Sequence, residues 1–167
     1  MKMKLPVSGT IILTVVCLAA IVGCSAEKSG TEATMDQKML DEFAARYAAA
    51  WSGGDPEAWA AFYAEDATFR INEGEIARGR EAIAAVGQGF MTAFPDMVVA
   101  LEKVVPTDTG AEFHWRWTGT NTGPGGNGKS VDLTGYEEWT FSPDGLIQSM
   151  HGHFDDAEYA RQMNAGE

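Results

Sequence analysis

GPGGNGKSVDLTGYEEWTF, residues 123–141, is the stretch that decides between two folds. Its first eight residues match the phosphate-loop pattern G-x-x-x-x-G-K-[ST], which holds phosphates only where a strand precedes it and a helix follows it. Residues 131–141 instead alternate with a period of two and contain β-branched and aromatic side chains, as a strand does. The residues before the stretch, 111–119, are also strand-like. This pattern predicts a glycine-rich loop between antiparallel strands and no nucleotide cofactor.

The rest of the chain supplies the other elements of an α+β fold. Helical spacing of apolar residues predicts helices from Met35 to the Gly53-Gly54 pair, over a short segment that begins at Asp55 and carries Trp59, Phe62 and Tyr63, and over 79–94. Further strands are expected at 67–71, 97–105 and 146–154, and a last short helix up to Met163. We therefore expect three N-terminal helices packed on a strongly curved, mostly antiparallel sheet, followed by a short C-terminal helix.

The first 24 residues have the pattern of an export signal. Lys2 and Lys4 precede an apolar run at 11–22, and Ile21-Val22-Gly23-Cys24 resembles the lipobox of bacterial lipoproteins. An ordinary cleaved signal that ends near a cysteine is the alternative. The expected organisation is a lipoprotein signal over 1–24 with lipidation at Cys24, a polar tether over 25–34 and a folded domain over 35–165. The resemblance implies export and lipid anchoring to the bacterial cell envelope.

Charge and cysteine content narrow the functions that the folded domain can have. The chain carries a net charge of −12, and removal of Lys2 and Lys4 with the signal gives 12 − 2 − 24 = −14. Such a domain repels nucleic acid and anionic head groups, so membrane contact is expected through the anchor alone. Both cysteines, Cys17 and Cys24, precede the domain, which leaves no thiol for a disulfide or a thiolate metal site.

Four stretches resemble a known family: ARYAAAWSGGDPEAWAAFYAEDATFRI (45–71), GREAIAA (79–85), WTGTNTG (117–123) and DGLIQSMHGHFDDAEYARQM (144–163). They are similar to SnoaL-like polyketide cyclases and to ketosteroid isomerases, which share the nuclear transport factor 2-like fold. The resemblance covers about 35–163 and implies three helices that close a conical pocket above the concave face of the sheet.

The resemblance can be followed at four positions that match catalytic positions of the reference enzymes. Two of them keep a polar group and two do not. Tyr47 matches the tyrosine that hydrogen-bonds the substrate carbonyl in the isomerases, and Glu137 matches the protonated carboxyl beside it. The isomerase base falls at Ile71, and the acid/base aspartate of the cyclases falls at Gly152, where neither residue can transfer a proton. The resemblance thus implies a carbonyl-polarising pair without an assigned base.

The strand pattern predicts that Glu137 shares a face with Trp139 and Phe141, where desolvation would raise the pKa of its carboxyl; a solvated face is the alternative. The expected ligand is an apolar carbonyl compound, bound without a cofactor for cyclisation or isomerisation through an enol. The alternative is a non-catalytic ligand-binding or protein-interaction module. The predicted cavity residues besides Tyr47 and Glu137 are Phe69, Ile71, Phe113, Trp115, Trp117, Trp139, Met150 and Phe154.

The FSPDGL turn at 141–146 leaves the register of the last hairpin open. A four-residue loop places Met150 opposite Glu137, and a three-residue loop with Gly145 as a bulge places His151 there. The family resemblance favours Met150. His151 and His153 would then lie with His114 on the outer face, through which a homodimer could pack. No metal site is expected on these histidines, because the supporting carboxylates are not evident from sequence.

Overall fold

The computed structural model describes residues 35–164 of the chain. The predicted signal segment, Cys24, the tether and residue 165 of the predicted domain lie outside the described residues, so the lipid anchor stays a prediction. Within 35–164, no helix is long and apolar enough to cross a membrane.

The first two helices begin at aspartate caps. Helix α1 spans Gln37–Ser52 and starts at Asp36, whose carboxylate accepts a hydrogen bond from the Met39 backbone N–H. Helix α2 spans Pro56–Ala60 and is capped in the same way by Asp55. The expectation that this helix carries Phe62 and Tyr63 was wrong, because the helix ends at Ala60 and Tyr63 is the first residue of strand β1.

The sheet has six strands, in the spatial order β2-β1-β6-β5-β4-β3. Strands β1 and β6 pair in parallel and the other neighbours pair antiparallel, so the sheet is mixed. The strands are β1 (Tyr63–Ile71), β2 (Ala77–Arg78), β3 (Val98–Thr107), β4 (Gly110–Thr120), β5 (Ser130–Phe141) and β6 (Ile147–Phe154).

Two parts of the expected architecture need correction. The sheet is open, with β2 and β3 as its edges, rather than strongly curved. The third helix, α3 (Arg80–Ala93), follows β1 and β2, so the three helices are not consecutive at the N-terminal end. Periodicity reports the type of an element but carries little information about sheet curvature. The expected C-terminal helix is present as α4, Asp156–Met163, with Asp155 as its cap.

Alternation along the strands gives the sheet one apolar and one polar face. On β4, Ala111, Phe113, Trp115 and Trp117 are buried, whereas Arg116 between them is exposed. Helix α2 places Trp59 against α1 and α3: its ring lies 4.0 Å from that of Trp51. A Cβ added at Gly87 of α3 would come within 2.7 Å of the Trp59 ring, so this glycine permits the close approach of the two helices.

The last hairpin combines features of both predicted registers. Gly145 has φ +76° and Ser142 pairs with Leu146, as in the three-residue turn. An extra residue in β6, Gln148, then shifts the pairing by one, because Phe141 pairs with Ile147 but Thr140 pairs with Ser149. Glu137 consequently lies opposite Gly152, a pairing that neither predicted register gave.

The bulge sets which side chains of β6 face inward. Met150 is buried on the face that Glu137 occupies, and His151 pairs with Glu138 on the other face. The face that the family resemblance favoured is therefore correct, although the exact partner of Glu137 is not.

Candidate functional site

An apolar cavity lies between the helices and the inner face of the sheet. It encloses about 510 Å³ of empty space when its open mouth is included. Its interior volume is only about 50 Å³, so a bulky molecule could enter only if the cavity widened. Its walls are formed by Trp51, Phe69, Ile71, Phe90, Met97, Val99, Trp115, Trp117, Glu137, Met150, Gly152 and Phe154.

Glu137 is the single titratable side chain among the described residues of this wall. It is 5% exposed, and its Oε2 accepts hydrogen bonds from Tyr47 Oη at 2.9 Å and Trp139 Nε1 at 2.7 Å. Both of these bonds fall on the same oxygen. Oε1 takes no part in either bond.

Burial sets the charge state of this site. Desolvation raises the pKa of Glu137 from its ordinary 4.5 to about 7, although the hydrogen bonds from Trp139 and Tyr47 lower it. Both forms of the carboxyl are consequently populated near neutral pH. Burial also raises the pKa values of Tyr47 and Tyr63 well above the ordinary 10.0, so both hydroxyls stay neutral donors.

The two tyrosines form a hydrogen-bond chain behind the carboxyl. Tyr47 Oη lies 2.7 Å from Tyr63 Oη and donates its one proton to Glu137, so Tyr63 must donate to Tyr47. This directed chain fixes the position of Glu137 Oε2 from the side away from the cavity.

The structure divides the predicted site residues into two groups. Phe69, Ile71, Trp115, Trp117, Met150 and Phe154 line the cavity together with Glu137. Tyr47, Phe113 and Trp139 are buried beside Glu137 but do not line it. Phe113 and Trp139 stack at 4.8 Å, and Tyr47 packs edge-on to Trp139 at 4.9 Å. This second group packs around the carboxyl beside the cavity wall, and the expected contact of Tyr47 with a ligand carbonyl stays a prediction.

The positions that carry acid/base groups in the reference enzymes meet at one level of the sheet. Gly152 pairs with Ile71 on one side and with Glu137 on the other. A Cβ added at Gly152 would make ordinary contacts, 3.4 Å from Met150 Sδ and 3.7 Å from the Arg70 carbonyl oxygen. Strand pairing therefore leaves room for a side chain at Gly152 that this chain does not have.

Sequence reasoning missed several parts of the cavity. Trp51 and Phe90 lie on the apolar stripes of α1 and α3, and their spacing could have placed them toward the sheet. Met97 and Val99 come from the beginning of the edge strand and its approach. Tyr63 could not have been found, because its role depends on the turn that brings β1 against α1.

The phosphate-loop pattern lies in the β4–β5 connection, as the alternation predicts. Strand β5 begins at Ser130, so no helix follows the glycine-rich segment. Asn121 and Gly128 close the loop through a backbone hydrogen bond of 2.8 Å, and Asn127 Nδ2 donates to the Met163 carbonyl oxygen. The loop therefore ties the sheet to the end of α4.

Comparison with known proteins gives the family. The model of the SnoaL-like domain matches residues 44–150, and the chain belongs to this family. A protein from Jannaschia sp. CCS1 assigned to the SnoaL-like polyketide cyclases is similar at 20% identity over 78% of this chain and 95% of its own, with a TM-score of 0.69. No curated protein matches at a significant level.

Two further solved structures have a similar fold. A protein of ketosteroid isomerase-like fold from Catenulispora acidiphila DSM 44928, in complex with trimethylamine, is 19% identical over 73% of this chain and 92% of its own, with a TM-score of 0.65. A protein assigned as a polyketide cyclase from Xanthomonas campestris pv. campestris is 26% identical over 78% of this chain and all of its own, with a TM-score of 0.60. The six-stranded mixed sheet and four helices are consistent with the nuclear transport factor 2-like fold.

Proposed function

We propose that this SnoaL-like domain binds a flat, apolar molecule with a carbonyl or enol oxygen, and that Glu137 is the group that exchanges a proton with it. The observation that carries the proposal is a buried carboxyl in an apolar cavity, with Oε2 held by two donors and Oε1 in neither bond. A neutral carboxyl at this position donates to a carbonyl oxygen, and its ionised form accepts a proton.

The pKa of Glu137 suits this exchange. General acid–base groups are most effective when their pKa lies near the working pH, and burial raises the pKa of Glu137 to about 7. Tyr47 and Tyr63 act here as positioning residues, since their hydroxyls engage each other and Glu137 Oε2.

Two side chains of the cavity wall have buried indole N–H groups. Trp115 and Trp117 line the cavity, and the Nε1 atom of each is buried without a hydrogen-bond partner among the described residues. Buried donors without partners are costly, so an acceptor on the ligand would recover that cost. Such donors would also stabilise the negative charge that develops on an enolate oxygen.

A non-catalytic binding module is the second candidate, and a specific observation favours it. Ile71 and Gly152 occupy the acid/base positions of the reference enzymes, which leaves Glu137 as the one proton-transferring group among the described wall residues. With one such group the same carboxyl must remove and return the proton, or no turnover occurs.

Binding can be tested with 2-naphthol, a flat phenol, against 2-methylnaphthalene, which has nearly the same shape without the hydroxyl. Isothermal titration calorimetry should show that the wild type and Glu137→Gln prefer 2-naphthol, because both present a polar partner. Glu137→Leu should lose about 1–3 kcal/mol of this preference, roughly 5- to 150-fold. Glu57→Gln, on the exposed start of α2, is the matched control. Equal affinity of the wild type for both probes would contradict the proposal.

Catalysis can be separated from binding with 2-tetralone in deuterated buffer. If Glu137 removes and returns an α-proton, NMR should show α-hydrogen exchange above the buffer rate with the wild type, and only the buffer rate with Glu137→Gln. Binding of the ketone without accelerated exchange would support the non-catalytic candidate and would contradict the hypothesis that the domain is an enzyme.

A further inference from the structure

The outer face of the sheet carries a cluster of metal-ligating side chains that the cavity does not use. Glu138 of β5 pairs with His151 of β6, and His153 follows two residues later on the same face. One ligand atom from each of the three residues can be chosen so that all lie within 4.8 Å of one another. We propose that Glu138, His151 and His153 form a binding site for a divalent transition-metal ion of the zinc type.

The spacing of the three side chains suits a shared ion. Glu138 Oε2 lies 2.8 Å from His153 Nε2 and 3.9 Å from His151 Nδ1. Ligands about 2.1 Å from a tetrahedral zinc ion are about 3.4 Å from each other, so small side-chain rotations suffice. Two imidazoles and a carboxylate are a frequent three-ligand set for Zn²⁺, with the fourth position open to water.

The tautomer of His151 is already that of a ligand. Its Nε2 lies 3.0 Å from the Asn72 carbonyl oxygen, which can only accept, so Nε2 carries the hydrogen in the neutral ring. Nδ1 then carries the lone pair and lies 3.9 Å from Glu138 Oε2, so two acceptors are neighbours. A cation between them resolves this arrangement. A backbone carbonyl that holds the remote ring nitrogen is the usual support of a metal-binding histidine.

The ring of His153 is also held in place. It stacks on Tyr136 at 4.6 Å, and it lies 4.0 Å from the ring of His151. The side chains of His151, His153 and Glu138 are 34%, 27% and 56% exposed, so an ion can reach them from solvent. The net charge of −12 favours the approach of cations.

The third histidine of the chain provides a matched control. His114 lies on the same face and stacks on Tyr136 from the other side, at 5.6 Å, but its Nε2 pairs with Glu112 at 3.1 Å and is not part of the cluster. The proposal differs from a site formed by the three histidines, because it replaces His114 with Glu138. It is also independent of the cavity, which lies on the opposite face.

The test uses the purified full chain after treatment with EDTA. Titration with Co²⁺, followed by its visible d–d bands, and calorimetry with Zn²⁺ should show saturable binding of one ion per chain. His151→Ala and His153→Ala should each abolish saturable binding, Glu138→Gln should weaken it at least about 10-fold, and His114→Ala should bind as the wild type does. Zn²⁺ should also raise the Tm of the wild type and of His114→Ala, but not of the other variants.

Several results would overturn the proposal. If the wild type shows no saturable binding of Co²⁺ or Zn²⁺ at metal concentrations up to about 1 mM, the proposed site does not exist. Undiminished binding by His151→Ala and His153→Ala would place the ion elsewhere in the chain, and loss of binding by His114→Ala would show a different ligand set. Half an equivalent of metal would indicate ligands from two copies rather than this three-residue site. Glu138→Gln, an exposed substitution, keeps the test decisive if a histidine variant does not fold, since affinity equal to wild type would also count against the cluster.

Discussion

Glu137 and Glu138 are neighbours on β5 and face opposite sides of the sheet. Glu137 is 5% exposed and accepts hydrogen bonds from a tyrosine and a tryptophan, whereas Glu138 is half-exposed and contacts His151 and His153. Two glutamates adjacent in the chain thus lie in different surroundings: Glu137 in an apolar cavity and Glu138 in a polar cluster open to solvent.

The difference shows how little of the chemistry belongs to the residue itself. Helices α1, α2 and α3 pack over the inner face and exclude water from Glu137, so burial raises the pKa of its carboxyl. On the outer face, the carboxylate of Glu138 contacts two histidine side chains, His151 and His153, instead of buried aromatic rings. The inner glutamate is suited to proton exchange and the outer one to charge pairing or metal binding.

The largest expected effect comes from insertion of one alanine between Ser149 and Met150, which breaks the separation of the two faces. With this added residue either Met150 turns outward and His151 inward, or the pairing slips and Ile147 leaves the core. We expect a loss of more than about 5 kcal/mol in the free energy of unfolding, comparable to the whole stability of a small domain. Urea denaturation followed by circular dichroism measures it.

Gln148→Ala is the matched control for the insertion. It keeps the register of β6 and removes only the hydrogen bond from Gln148 Nε2 to Asp66 Oδ1 at the surface. Its expected effect is within about 0.5 kcal/mol. An insertion variant that unfolds cooperatively with wild-type stability would show that the register of β6 does not set the faces.

An intermediate effect is expected from the pH dependence of Glu137. The folded chain holds this proton up to about pH 7, whereas an unfolded chain releases it near the ordinary pKa of 4.5. Protonation therefore favours the folded state, and this contribution is complete below about pH 4.5 and is lost as pH rises to 7. At 1.36 kcal/mol per pH unit, the stability of the wild type relative to Glu137→Gln should fall by about 3 kcal/mol over that window.

Denaturation of both proteins at several pH values between 4.5 and 8 gives that difference directly. The other ionisable groups are common to the two chains, so the comparison isolates Glu137. A difference that stays constant with pH would mean that the carboxyl titrates as in water, and the inner face would then resemble the outer one.

The smallest effect is expected at Glu138. Glu138→Gln removes an exposed charge whose partners are partly solvated, so the free energy of unfolding in EDTA at pH 7 should change by less than about 0.5 kcal/mol. Chemical denaturation against the wild type measures it. A loss above 1 kcal/mol without metal would show that the outer cluster is a structural element of the fold, and the contrast between the faces would be smaller than the structure indicates.

The family and most elements could be predicted because they depend on local signals. Asp55-Pro56 starts a helix, alternation over 131–141 gives a strand, and Trp115 and Trp117 share the inner face of β4. The open sheet was not evident, because it depends on how distant strands pair. The homodimer through the outer face stays a prediction.

Within the site, the strand pattern is enough to show which side chains can share a face. The period of two separates Glu137 from Glu138, and Ile71 and Gly152 show that the acid/base groups of the reference enzymes are missing. Which of these groups meet depends on the tertiary structure. Gln148 placed Gly152 opposite Glu137, and the turn before β1 brought Tyr63 against Tyr47, whose hydroxyl also bonds Glu137. Alternation is fixed residue by residue along one strand, whereas register, hydrogen-bond partners and desolvation depend on segments far apart in the chain.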